Sequence, residues 1–168
     1  MGKIKLTQDY EALVDDTDFE RVSEHKWYAK VERRADGSVR VYAVRNVPRE
    51  GGGQMTQRLH RFIMDAPTDV QMDHINGDGL DNRRENLRVC TRSENQRNMR
   101  PRGGYSQYKG VTLFKRDAKW VARIWFDGKK IYLGKFDDEK AAAMAYDSAA
   151  INFFGPFART NFKEAHNG

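Results

Sequence analysis

The chain has 168 residues, 39% hydrophobic and 11% aromatic, with a formal charge of +6, which suffices for one ordinary domain or two small ones with modest cores. Its single cysteine, Cys90, excludes an internal disulfide and a thiolate zinc cage built from one chain. No apolar run approaches the roughly 20 residues of a membrane span, and the start, MGKIKLTQDYEALVDD, has no signal-peptide core and suits myristoylation poorly, so a cytoplasmic protein without a membrane partner is expected.

The charge is concentrated. Residues 83–119 hold eleven Lys/Arg against three acids, which makes that segment +8 and the remainder −2. A basic centre of this kind suits a polyanion such as nucleic acid, although a solvated charged face would look the same. The acidic stretch DYEALVDDTDFE argues against indiscriminate binding.

In chain order, residues 26–47 alternate apolar and polar on both sides of Asp36-Gly37, which predicts a β-hairpin. REGGGQM (49–55) reads as a flexible loop, and RLHRFIMDA as a short helix stopped before Pro67. DVQMDHI then reads as a strand, NGDGLDNRREN as a turn-rich loop, LRVC as a second strand, and TRSENQRNM as a helix capped by Thr91 or Ser93. MRPRGGYSQ (99–107) combines Pro, Gly and positive charge and marks a domain boundary.

Beyond it, AKWVARIWFDGKKIYLGKF predicts a hairpin turning at Asp127-Gly128, with Trp125 facing Lys130, Arg123 facing Tyr132, Ile124 facing Ile131 and Ala122 facing Leu133. One face would be aliphatic (Ala122, Ile124, Ile131, Leu133), the other basic and aromatic (Lys119, Arg123, Trp125, Lys130, Tyr132). The alanine-rich DDEKAAAMAYDSAAINFFGP predicts a helix ending at Gly155-Pro156, with small residues at 142, 145 and 149 allowing close approach to the sheet. That helix would cover the aliphatic face and leave the basic-aromatic one open.

Asp73-His74 stands out chemically. An imidazole titrates near operating pH and can take a proton from a metal-polarised water, and asparagines follow His74 by 12 and 21 residues, at Asn86 and Asn95. Asp73 and Asn95 would offer hard oxygen donors, better suited to Mg²⁺ or Mn²⁺ than to Zn²⁺. A polar turn in which these residues satisfy backbone groups accounts for the same composition. His60, in LHRF, is expected to be structural and to support the site from behind; His25 is read as structural, and His166 as part of a frayed tail.

DHINGDGLDNRRENLRVCTRSEN resembles the HNH nuclease family, most closely its phage-type homing endonucleases, over roughly residues 55–99. The resemblance implies a ββα-metal site in which His74 is the general base, Asp73 and Asn95 hold one Mg²⁺ (or Mn²⁺), and Asn86 shapes the loop and orients the histidine. Much of that family has a histidine where Asn95 stands here, and many members carry paired CxxC zinc ligands that this chain lacks.

Residues 108–162, with YKGV, KWVARI, YLGKFDDEKAAAMAYDSAA and the terminal NF, resemble the AP2 DNA-binding domain along its whole length. That implies a three-stranded sheet packed on one helix and set in the DNA major groove, with Lys109, Lys119, Trp125, Lys130 and Tyr132 at contact positions and Arg123 on the same face. Thr112 and Phe114 stand where plant members usually carry arginines.

The expectation is thus an α+β protein: a β-rich nuclease domain over 1–99, a linker over 100–107, an AP2-like domain over 108–162 and a tail over 163–168. It would be a site-specific, metal-dependent homing endonuclease acting on double-stranded DNA, with Arg83, Arg84, Arg88, Arg92 and Arg97 seating the backbone and no protein partner. The alternatives are a DNA-binding regulator with an inactive nuclease site and an RNA-processing nuclease of the same family.

Overall fold

The computed structural model describes residues 1–34, 37–98 and 105–162. The Asp36 half of the first predicted turn, most of the predicted linker and the tail with His166 lie outside the described residues. The chain forms two compact units, 1–95 and 96–168. Both are mixed α/β and rich in strands.

The first unit begins with a hairpin that has no strong alternation in its sequence: β1 (Gly2–Lys5) runs antiparallel to β2 (Glu11–Val14). Its turn uses positive φ at Gln8 and Asp9, a conformation polar residues tolerate better than branched ones. Helix α1 (Asp16–Ser23) follows, with Asp16 and Asp18 in its first turn and Arg21 in its last, the charge order that suits the helix dipole. A three-stranded antiparallel sheet comprises β3 (Tyr28–Arg33), β4 (Val39–Pro48) and β5 (Gln54–Arg58), in that order. The loop expected over 49–55 is therefore shorter. Gln54 and Met55 pair with Pro48 and Val47, and Gly51, Gly52 and Gly53 form the tip, all at positive φ.

Next come α2 (Leu59–Ile63), β6 (Gln71–His74), β7 (Leu87–Cys90) and α3 (Arg92–Arg97). Thr91 and Glu94 cap α3 reciprocally: the Glu94 N–H donates to the Thr91 hydroxyl at 3.2 Å, and the Thr91 N–H donates to the Glu94 carboxylate at 2.7 Å. The core joins Ile4, Val14, Val22, Trp27, Ala43, Leu59, Ile63, Met72 and Leu87, so β1, β2, α1, β4, α2, β6 and β7 press on one apolar centre. The indole N–H of Trp27 is satisfied inside it by the Val22 carbonyl at 2.9 Å.

In the second unit β8 (Val111–Phe114), β9 (Lys119–Phe126) and β10 (Lys129–Phe136) form an antiparallel sheet with β9 central. Asp127 (φ 49°) and Gly128 (φ 71°) make the tight turn, as the Asp-Gly pair predicts. Three predicted pairings hold, Trp125 with Lys130, Ile124 with Ile131 and Arg123 with Tyr132. The fourth is corrected: Ala122 faces Gly134 and not Leu133, because the register shifts between Tyr132 and Gly134 and leaves Leu133 as an extra residue. A strict two-residue period would turn Phe136 to solvent and Lys135 into the core. The bulge reverses both, with Phe136 packed inside and Lys135 on the open face.

Helix α4 (Glu139–Phe154) covers the other face of this sheet; the Asp138 carboxylate caps it by accepting from the Ala141 N–H at 2.8 Å, and Gly155 ends it at positive φ. Ala142, Ala143 and Ala150 are fully buried, while Ala145 and Ala149 line the margins. Methyl-sized side chains bring the helix close enough for Val111, Ala122 and Ile124 to be sealed beneath it.

Candidate functional site

Two regions carry the residues singled out from sequence. In the first, β6 and β7 pair with Asp73 opposite Arg88 and His74 opposite Leu87. Both side chains are buried at this end of β6. The buried Asp73 meets the Arg88 guanidinium at 3.0 Å in a part-buried ion pair. His74 lies edge-on to the buried His60, ring centroids 4.8 Å apart, and its Nε2 sits 3.4 Å from the Asn82 side-chain oxygen. Burial holds the His74 imidazole below its ordinary pKa, although the Asn82 oxygen and the Asp73, Asp78 and Asp81 carboxylates pull the other way. Burial thus favours the neutral imidazole, the form that can accept a proton.

The loop between these strands is held by asparagines. Asn86 accepts from the Asn76 N–H at 3.0 Å and donates to the Asp81 carbonyl at 2.7 Å and the Asn76 side chain at 3.1 Å. Leu80 and Asn82 then stitch the loop to β2, with Leu13 N–H donating to the Leu80 carbonyl and Asn82 N–H to the Leu13 carbonyl, both at 2.8 Å. Gly79 lies against β4, where a Cβ would come within 2.4 Å of the Val41 carbonyl oxygen. Asn82 is the residue sequence reasoning passed over. It was one polar letter of NGDGLDN, and its contact with His74 depends on the loop's path.

The arginines here face protein carboxylates. Arg83 grips Asp81 through two 2.8 Å contacts and reaches Glu85 at 2.6 Å. Arg84 grips the buried Asp18 at 2.7 and 2.8 Å and donates to the Ile63 carbonyl at 3.0 Å. Those guanidiniums hold the Asp81 and Asp18 carboxyls below the usual aspartate range. Arg92 is exposed on α3, and Asn95 is half-buried on the same helix.

As a site for Mg²⁺ or Mn²⁺, the residues offer one carboxylate and one amide oxygen, and the carboxylate is already matched by Arg88. Among the described residues no group of three or more His, Cys, Asp and Glu side chains is placed to hold a metal ion. An ion bound here would take most of its ligands from water and phosphate.

The second region is the open face of the β8–β10 sheet. Trp125 and Tyr132 stand on it 63% and 59% exposed, beside Arg123 and Lys130, and the Lys130 ammonium lies 5.9 Å from the Trp125 ring centroid. Lys119 pairs with Asp137 and Lys135 with Asp117 at the other end of the face.

Lys109 is placed differently from its predicted companions. Its ammonium donates to the Arg97 carbonyl, its own backbone is clasped by Asn161, and burial together with the nearby Arg159 pushes its pKa down to about 8. The Arg97 guanidinium lies over the Phe154 ring at 4.8 Å.

Comparison with known proteins gives two regional matches. Residues 65–97 match the family model for HNH endonuclease, and residues 106–156 match that for the AP2 domain. Curated relatives include APETALA2-like protein 2 of Oryza sativa subsp. indica, 53% identical over 62 residues (37% of this chain, 14% of the relative). The AP2-like ethylene-responsive transcription factor TOE2 of Arabidopsis thaliana is 52% identical over 62 residues (37% and 13%). The AP2-like ethylene-responsive transcription factor CRL5 of Oryza sativa subsp. japonica is 32% identical over 153 residues (84% and 24%). The chain spans about a seventh of the first two relatives and a quarter of the third.

An HNH-type region and an AP2-type region are both present. The expectation of a site-specific homing endonuclease is corrected by relatives that are named AP2-like or ethylene-responsive transcription factors, and a phage context finds no support among them. Among the described residues no helix is long and apolar enough to cross a membrane.

Proposed function

We propose that the protein is a sequence-selective binder of double-stranded DNA, of the transcription-regulator type, whose second unit lays the open face of β8–β10 into the major groove. The observation that carries this reading is the asymmetry of that sheet. One face is sealed by α4, whereas the other presents Trp125 and Tyr132 to solvent between Arg123 and Lys130. A twisted β-sheet fits the major groove, where cations meet phosphates or guanine edges and aromatic rings meet sugars. The likeness to plant regulators favours a nuclear over a cytoplasmic place of action. The Asp73–Arg88 pair is consistent with a first unit that serves as a folded platform. Selection from a randomised duplex pool by the full chain tests the reading: enrichment of one motif supports it, and binding indifferent to sequence defeats it.

A second reading is favoured by one observation of its own, the match of residues 65–97 to HNH endonuclease, within which His74 is held beside Asn82. On that reading the first unit hydrolyses phosphodiester bonds. His74 would take the proton from the attacking water, Asn86 would hold the loop's shape, and Asp73 and Asn95 would bind a Mg²⁺ (or Mn²⁺) that neutralises phosphate charge. Incubation of supercoiled DNA with the protein separates the two readings. Nicking that needs Mg²⁺ and disappears in a chelator and in His74→Ala supports hydrolysis; intact DNA bound by a folded protein leaves regulation alone.

A further inference from the structure

The open face of the β8–β10 sheet has two chemically different ends. At one, Trp125 faces Lys130 and Arg123 faces Tyr132. Arg123 and Lys130 form no ion pair among the described residues, so their donors are available to a groove.

At the other end Phe114 faces Lys119, and Thr112, Val121 and Lys135 lie in one row across the three strands. Both lysines there are already matched. The Lys119 ammonium meets Asp137; that of Lys135 meets Asp117 and lies 4.7 Å from the Phe114 ring centroid. Between them the face presents the exposed Thr112, the 42% exposed Phe114 ring and, beneath, Val121. Apart from the Thr112 hydroxyl, that centre offers carbon.

In the major groove the apolar group on an ordinary base edge is the thymine methyl, and Thr methyls and Phe rings are side-chain groups that contact it. A guanine at the same place would present two acceptors to a surface whose own lysines, Lys119 and Lys135, are engaged by Asp137 and Asp117, so that only Arg123, one row away, would be left to satisfy them. We propose that the Thr112–Phe114 end of the face is a specificity element that recognises 5-methyl groups of thymine, while the Arg123–Lys130 end supplies charge and hydrogen-bond donors. This rests on the reading that the face lies in a DNA groove.

The test uses the full chain on its selected duplex, with thymines replaced one at a time by deoxyuridine, a change that deletes the methyl alone. Burying one methyl-sized group alters Kd about fourfold. Deoxyuridine should therefore weaken binding about fourfold at each of two or three neighbouring positions and leave the others unchanged. In Thr112→Ser and in Phe114→Ala, both exposed changes on an intact sheet, the deoxyuridine penalty at one or more of those positions should shrink towards none. A chain that still prefers its selected duplex to a scrambled one yet tolerates deoxyuridine everywhere overturns the inference alone, as does a selected site without thymine. A chain that prefers no duplex overturns the DNA reading itself.

Discussion

Asn161 clasps both backbone hydrogen-bonding groups of Lys109, accepting from its N–H at 2.5 Å and donating to its carbonyl at 3.1 Å, across 52 residues of sequence. The same amide donates to the buried Asp147 carboxylate at 2.9 Å, and Asp147 also receives the backbone N–H groups of Asn161 and Phe162 at 2.8 and 3.0 Å. One side chain thus fastens the last described residues to the turn before β8. Asn161→Ala would leave a buried carboxylate and a backbone pair short of partners, and it should destabilise the second unit by about 2–4 kcal/mol, read by urea denaturation of the full chain.

Gly110 lies in the same turn at φ 77°, and a Cβ there would stand 2.0 Å from the Tyr146 ring and 2.7 Å from the Arg123 carbonyl oxygen. Gly110→Ala should destabilise the second unit by about 3 kcal/mol or more, with the first unit's transition unmoved. Gly128→Ala, where nothing lies within 4 Å, meets only the φ penalty and should cost about 1 kcal/mol.

His60 is pushed down to about pKa 3 by burial, with His74, Arg58 and Arg61 adding to the effect. Its folded value lies below the ordinary histidine value near 6.5, so below that pH the unfolded chain takes up a proton that the folded chain declines. Stability of the first unit should be full above about pH 6.5 and fall as pH drops, by up to about 1.4 kcal/mol per unit. Thermal unfolding of His60→Phe between pH 6.5 and 4 should show a shallower slope than the parent.

Asp18 has the opposite chemistry, since the Arg84 guanidinium holds its carboxyl below the usual range. The stabilisation is complete above about pH 4 and is lost as pH falls through the lowered folded value. Asp18→Asn should remove that acid-side slope and cost about 1–3 kcal/mol at pH 7, discounted because Arg84 is half exposed.

Much of the second unit was legible because its cues are local. The Asp-Gly turn fixes three cross-strand pairs, and alternation assigns the covered and open faces. The bulge at Leu133 had one cue in YLGKF, a glycine inside a strand pattern, but its place and effect follow only from which of Lys135 and Phe136 can be buried. In the first unit the β6, β7 and α3 segments could be read, whereas β1, β2 and α1 lack strong periodicity and are held by packing on Val14, Val22 and Leu59. The arginines mislead for a similar reason. Arg84 has its carboxylate partner 66 residues away, so its charge reads as available until the chain is folded.

The central claim, that the open face of β8–β10 reads duplex DNA, is tested most directly by equilibrium titration of the selected and a scrambled duplex at several salt concentrations, with the parent and with Lys130→Ala and Trp125→Ala. The account predicts that Lys130→Ala weakens both duplexes alike and lowers the salt slope by about one unit, as loss of a phosphate contact does. It predicts that Trp125→Ala reduces the preference for the selected duplex. Unchanged affinity, slope and preference in both folded variants would contradict it.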